Sequence, residues 1–335
     1  MGCTAQMAAS QRFKTRGAVG NGQALPRRRS GCQERIRSCP LMRVSRETPA
    51  GRKYLELQRE ARRSGRPTDE LIQLYALECF LDRLVHSEFA ENFVLKGGVL
   101  LAALHARRPT RDIDFAARAI DNDTNEVLGL VRQIAAMSLD DGIEFNAADA
   151  SAESIRDEDA YSGVRVTLTG KLSRAVIRLH VDVNVGDPIW PEPQKITLPR
   201  LLYGTLIVRG YPLEMVLAEK IVTSIARGTA STRWRDFVDI YTLVQRHPID
   251  GPTLRQSMSR VARHRDVTLS PLKSVLEGYE EIAQPRWLAW LRKQRLDTAI
   301  PNDFSAVLDM VESFSDAVIS NAAVQTWNPA TRQWA

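Results

Sequence analysis

Residues 93–98, Phe-Val-Leu-Lys-Gly-Gly, and residues 110–115, Thr-Arg-Asp-Ile-Asp-Phe, decide how this chain reads. The first is a short apolar segment, Phe93 to Leu95, that runs through Lys96 into the pair Gly97-Gly98. The second alternates polar and apolar residues as a half-buried strand does. In a strand, residues i and i+2 share a face about 6.6 to 7 Å apart, so Asp112 and Asp114 stand together while Ile113 and Phe115 turn to the core. Two like charges that close invite a cation. A Gly-Gly pair between a strand and a helix exposes backbone N–H groups beside a helix dipole, where a phosphate can be held. Each signal alone is common. In this order they set a phosphate grip ahead of a metal-ligand pair, as nucleotidyl transfer requires; the bland alternative is a helix-strand turn with a surface acidic pair.

Working downstream, Val164–Thr169 and Val176–Asn184 alternate strictly and read as strands. On the second, Ile177, Leu179, Val181 and Val183 form the apolar face, which leaves Arg178, His180, Asp182 and Asn184 on the other. If the two acidic strands are neighbours, Asp182 joins Asp112 and Asp114, and three carboxylates on one sheet face suit a hard cation such as Mg²⁺. His180 has no second ligand at metal-site spacing, so a zinc site is not indicated. Thr110, two residues before Asp112, either donates its hydroxyl to a phosphate or caps a turn.

Working upstream, Thr68 after Pro67 reads as an N-cap, and Leu71, Leu74, Leu77, Leu81 and Leu84 form one apolar stripe of an amphipathic helix. A helical run is expected over Val99–Arg107, stopped by Pro109, and another over Asn125–Met137. Residues 1–45 hold nine Arg and Lys against the single Glu34, a net of +8 in a chain whose net charge is +6, so the remainder is slightly acidic. This segment lacks periodicity and reads as a flexible basic tail, with Met42 as an alternative start. Arg27, Arg28 and Arg29 are either a nucleic-acid tether or part of a solvated extension. Cys3, Cys32 and Cys39 lie in the tail; Cys79 lies in an apolar helical pattern, as an inert buried thiol of a reducing, cytoplasmic protein would. No apolar run reaches the roughly 18 to 20 residues that span a bilayer, so no membrane role is expected.

After Pro212 the signals are helical, over Leu213–Arg227, Trp234–Arg246, Pro252–Arg263, Leu272–Ile282, Arg286–Arg295 and Phe304–Ile319. On the first of these, Lys220 falls within the apolar arc of Leu213, Val216, Leu217, Ile221 and Ile225. A lysine there either meets an anion, such as a triphosphate, or snorkels at the edge of the stripe. Arg outnumbers Lys 38 to 8, which makes each lysine slightly more informative. Asp236 and Asp239, at i and i+3 and flanked by Arg233 and Arg235, either orient Lys220 or the nucleotide, or form surface ion pairs.

The two opening stretches, followed by Ala218-Glu219-Lys220-Ile221, Arg227 and Arg235-Asp236-Phe237-Val238-Asp239-Ile240, resemble the AbiEii/AbiGii (MenT-like) toxin family of the DNA polymerase β-like nucleotidyltransferases. The resemblance covers about residues 65–250; the last 80 or so residues and the tail match nothing further. It implies an α+β fold, a nucleotidyltransferase-type mixed sheet flanked by helices and followed by a mainly helical C-terminal domain. The expected division is a tail over 1–45, an α/β domain over 46–205 and a helical domain over 206–335 that contributes Lys220 and the Asp236/Asp239 motif.

The expected activity is NMP transfer from an NTP to an acceptor hydroxyl with release of pyrophosphate. Asp112, Asp114, Lys220, Asp182 and Asp236 are the expected catalytic residues; Asp112, Asp114 and Asp182 the ligands of Mg²⁺, or of Mn²⁺. Lys96, Gly97, Gly98, Thr110, Arg111, Lys220 and Asp239 are the expected nucleotide-binding set. The resemblance further implies the tRNA 3′ end as acceptor, a block of translation, and a cognate antitoxin. The arginine-rich segments Arg255–Arg265 and Arg286–Arg295 tilt toward nucleic acid. The alternatives are a protein or small-molecule hydroxyl as acceptor, or a catalytically silent nucleic-acid-binding module on the same fold.

Overall fold

The computed structural model describes residues 44–156, 162–321 and 325–335. The expected basic tail, with its three cysteines and Met42, lies outside these residues up to residue 43. Helix α1 (Pro49–Ser64) starts at Thr48, whose side chain accepts from the Gly51 N–H, and ends at Gly65 in the left-handed conformation. Helix α2 (Thr68–His86) carries the predicted leucine stripe, and all five leucines are buried. Thr68 is not its N-cap: the helix begins with Thr68 itself, next to Pro67, and no side chain caps it. Cys79 is fully buried, and burial pushes its thiol pKa up, as expected of an inert core thiol.

Strand β1 (Phe93–Lys96) is buried along its whole length. The helix after it, α3 (Gly97–Leu100), spans one turn rather than the run to Arg107 that periodicity suggests. The chain leaves helical geometry at His105, at φ 55, and the Ala106 N–H closes the turn on the Leu101 carbonyl at 2.8 Å. Strand β2 (Asp112–Ala117) follows, then α4 (Thr124–Ala136), capped by Asp123.

Strands β3 (Ile143–Phe145), β4 (Ser151–Arg156), β5 (Ser162–Leu172), β6 (Ala175–Val185), β7 (Gln194–Pro199) and β8 (Thr205–Gly210) complete an eight-stranded mixed sheet. Its order is β3-β5-β6-β2-β1-β8-β7, with β4 also paired to β5. The decisive adjacency is β2 beside β6, in parallel, with Asp112 opposite His180 and Asp114 opposite Asp182. Beyond β2, β1 runs antiparallel and sets Lys96 opposite Asp114. Strand β8 straddles the expected boundary at residue 205 and belongs to this sheet, where it pairs with β1 and β7.

The remaining chain is mostly helical: α5 (Leu213–Arg227), α6 (Trp234–Val244), α7 (Gly251–His264), α8 (Leu272–Val275), α9 (Tyr279–Gln294) and α10 (Phe304–Ile319). The helices expected at Leu272–Ile282 and Arg286–Arg295 divide elsewhere. Gly278 takes a left-handed φ of 73° and ends the first early, while Pro285 sits inside α9. Proline removes one helical donor, but Pro285 and Glu281 are both exposed, so the carbonyl left over faces water. Short strands β9 (Ile249–Asp250), β10 (Thr326–Asn328) and β11 (Gln333–Trp334) form a second sheet. Trp234, Tyr279, Trp287 and Phe304 pack ring against ring and tie α6 to α9 and α10. Among the described residues no helix is long and apolar enough to cross a membrane.

Candidate active site

Alternation along β2 buries Ile113 and Phe115 and leaves Asp112 and Asp114 on the opposite face, and β6 adds Asp182 to that face. Neither Asp112 nor Asp114 forms an ion pair or side-chain hydrogen bond among the described residues. Burial pushes the Asp114 carboxyl up to about 6, and repulsion from Asp182 and Asp112 adds to it. Asp112 is raised for the same reasons, burial first and Asp182 second. Asp182 is differently placed. Arg165, its cross-strand partner on β5, donates to both of its oxygens, at 2.8 and 2.7 Å.

Gly97 and Gly98 lie directly against this carboxylate face. Gly97 has a φ of +64°, and a Cβ there would fall 2.0 Å from Asp114 Oδ2. A Cβ on Gly98 would meet the Thr110 hydroxyl at 2.9 Å. The glycines thus let Asp114 and Thr110 settle on the backbone of the turn. The one-turn α3 supplies little macrodipole, so the helix-terminus argument for a phosphate grip weakens. The Thr110 hydroxyl donates to the Asp112 carbonyl at 3.3 Å, the turn-capping alternative.

The facing wall comes from α5 and α6. Lys220 donates to Asp236 Oδ1 and Asp239 Oδ2, each at 2.7 Å, so it does not snorkel. Burial alone would lower the lysine pKa, but Asp236 and Asp239 outweigh it and the value is raised. Asp239 also accepts from Arg108, at 3.0 and 3.2 Å. Burial would raise Asp239, but Lys220 and then Arg108 hold it below the usual carboxylate range. Of the roles open to these aspartates, orienting Lys220 is the one the geometry displays. Asp239 is buried, pairs with Lys220 and is not among the residues that line the cleft.

Of the other residues expected to bind the nucleotide, Arg111 stands outside the cleft and Lys96 lines it. Arg111 is exposed, in the bend just before β2. Lys96 reaches the cleft, but its ammonium is taken by Asp187 at 2.7 Å and Glu219 at 3.1 Å. Burial would lower its pKa; Glu219 and Asp187 raise it instead. Arg108, Arg165, Asp187, Glu219, Arg235, Arg265 and Trp290 line the cleft without having been expected there. Glu219 and Arg235 had a signal, since each adjoins an expected site residue. Arg108 lies two residues before Thr110, Arg265 and Trp290 fall in the arginine-rich segments, and only Arg165 and Asp187 had no signal.

These walls enclose a cleft of about 590 Å³, within the range of roughly 300 to 1,000 Å³ common for small-molecule sites. The expected three-carboxylate metal set is not assembled. Among the described residues no three His, Cys, Asp or Glu side chains are grouped to hold an ion, because Asp182 is turned to Arg165. Asp112 and Asp114 alone fit a hard divalent cation: they are oxygen donors, close together, and without a protein cation bound to either.

The family described as "Nucleotidyl transferase AbiEii toxin, Type IV TA system" matches residues 79–321. The chain belongs to the AbiEii family. It is therefore a nucleotidyltransferase toxin of a type IV toxin–antitoxin system, and an antitoxin partner goes with that membership. The AbiEii match runs on through α10, well past residue 250, where the resemblance read from sequence stopped. A crystal structure of a candidate nucleotidyltransferase from H. pylori is similar at 15% identity and a TM-score of 0.44, covering 76% of this chain and 96% of that one. JHP933 from Helicobacter pylori is similar at 15% identity and a TM-score of 0.40, covering 74% and 90%. No curated protein matches this AbiEii chain.

Proposed function

We propose that this AbiEii protein transfers NMP from an NTP to the 3′-terminal hydroxyl of tRNA, with Mg²⁺ or Mn²⁺ held by Asp112 and Asp114, and so blocks translation in the cytoplasm. The observation that carries the reading is the pair of carboxylates without partners facing a lysine that two other carboxylates hold in place. A bound divalent ion would neutralise triphosphate charge and polarise the reacting phosphoryl group.

The chain's own residues divide the remaining work. Lys220 lines the cleft and keeps one N–H beyond the two it gives to Asp236 and Asp239, a donor available to a phosphate oxygen. The backbone at Gly97 and Gly98 and the Thr110 hydroxyl border the same space. As the acceptor oxygen bonds to the α-phosphorus, the bond to pyrophosphate breaks and the hydroxyl proton must leave. Asp182 can serve as the base, or as a further metal ligand, only after Arg165 releases it. Arg265 from the segment after α7 and Trp290 from α9 border the cleft, so the arginine-rich stretches that favour nucleic acid adjoin the site.

The test is to incubate the protein with Mg²⁺, each labelled NTP in turn, and either total tRNA or total protein. Label in tRNA that requires Mg²⁺ and is lost in Asp112→Ala is expected. Label in the protein fraction alone would falsify the acceptor, and no label in any fraction would remove the activity.

A further inference from the structure

Seven cationic side chains border the cleft, and six already have partners. Lys96 is held by Asp187 and Glu219, Arg108 by Asp239, Arg165 by Asp182, and Lys220 by Asp236 and Asp239. Arg233 pairs with Asp236 at 3.3 Å, and Arg265 donates to the Thr223 hydroxyl at 2.6 Å. Arg235 is different: it is exposed, lines the cleft, and forms no hydrogen bond or ion pair among the described residues.

Its position is costly for the fold. Arg235 is the second residue of α6, at the positive end of the helix dipole, where a cation is unfavourable. Partial burial and the nearby Arg108 guanidinium lower its pKa. Asp112, Asp236 and Asp239 are near enough to attract it, yet none closes on it. A guanidinium so placed lacks an anion that the protein does not supply.

We infer that Arg235 is a substrate-binding residue that grips a phosphate group beside Asp112. This rests on the transferase reading above and adds Arg235 to Lys220 as a phosphate contact of the cleft. The planar fork of arginine suits two phosphate oxygens at once. The phosphate belongs either to the triphosphate of the incoming nucleotide or to the backbone of the acceptor, and the test separates these sources.

The full-length protein with Mg²⁺ is compared with Arg235→Gln and Arg235→Lys. Binding of each NTP is measured by calorimetry without acceptor, and KM and kcat are measured for NTP and for tRNA. Arg235→Gln should weaken a phosphate contact about 10- to 100-fold, the effect of losing one charge-assisted hydrogen-bonding partner. Weaker NTP binding without acceptor assigns the contact to the triphosphate; normal NTP binding with a raised tRNA KM assigns it to the acceptor. Arg235→Lys should recover part of the loss. Melting temperature of Arg235→Gln should equal or exceed that of the wild type, because repulsion from Arg108 is relieved. If the wild type binds and transfers NTP while Arg235→Gln matches it in affinity and both KM values, the inference fails by itself. If the wild type neither binds nor transfers, the transferase reading fails and takes this inference with it.

Discussion

The two walls of the cleft treat charge in opposite ways. On the sheet wall, β2 presents Asp112 and Asp114 with no cation bound to either, and both carboxyls are raised in pKa. On the helical wall, Lys220 and Arg108 are neutralised by Asp236 and Asp239, and the buried carboxylate of Asp239 is lowered. The sheet wall therefore stores repulsion that a ligand can relieve, whereas the helical wall, Arg235 apart, is already satisfied and acts as a rigid backing. Reactive capacity should concentrate where compensation is missing, and stability where it is complete.

The largest effect tests the sheet wall directly. Asp112→Ala or Asp114→Ala should cut nucleotide transfer by about 10³-fold or more, since several kcal/mol of transition-state stabilisation leaves with a metal ligand. Thermal stability should hold or rise, because a repelling charge is gone. A melt alongside the labelled-NTP assay checks both, and a variant that melts far below the wild type would dissolve the contrast between the walls.

Gly97→Ala approaches the same wall from behind. The new Cβ must displace the Asp114 carboxylate, and misplacing a reacting group by an ångström costs ~10²-fold. The positive φ adds about 1 to 3 kcal/mol of strain. Unchanged turnover in a folded Gly97→Ala protein would show that the position of Asp114 does not matter.

Lys220→Met probes the helical wall and should behave oppositely to the aspartate variants. It strips Asp236 of its lysine and leaves buried Asp239 with Arg108 alone, so stability should fall by on the order of 3 kcal/mol, together with transfer. From sequence alone, methionine looks harmless on the α5 stripe; the two carboxylates make it costly. Chemical denaturation measures the loss, and wild-type stability would mean that the backing is dispensable.

A pH series sharpens the comparison further. Asp114 moves from 3.8 unfolded to about 6 folded, so the folded state holds the extra proton between about pH 4 and 6. Stability from this group is therefore lost as pH rises through that window, and transfer should rise as the carboxylate forms. Added Mg²⁺ should raise the melting temperature more at pH 7.5 than at pH 5, and Asp114→Asn should remove the difference. The smallest effect belongs to Arg165→Gln, whose partly exposed pair with Asp182 contributes about 1 kcal/mol or less. Its informative readout is Mn²⁺ binding without nucleotide, which should tighten once Asp182 is released.

Much of this was legible in the chain. The period-2 alternation of β2 and β6 set Asp112, Asp114 and Asp182 on sheet faces, and the helical repeat delimited α5 and α10 at the residues observed. What stayed hidden about the site depends on neighbours distant in sequence. The pairing of Lys96 with Asp187 and Glu219, and of Asp239 with Arg108, could not be seen because those partners lie 91, 123 and 131 residues away. Strands β9, β10 and β11, two or three residues each, are too short for any period to register.

The sequence by itself determined which side chains share a face, because the pleat and the helical turn repeat over a few residues. It could not determine which charges would find counterions. Pairing depends on which elements pack together, and that is decided by the burial of a whole core rather than by any segment of it. Only the tertiary structure set β2 beside β6 and turned Arg165 onto Asp182. It closed Lys220 between two carboxylates and left Arg235 without one.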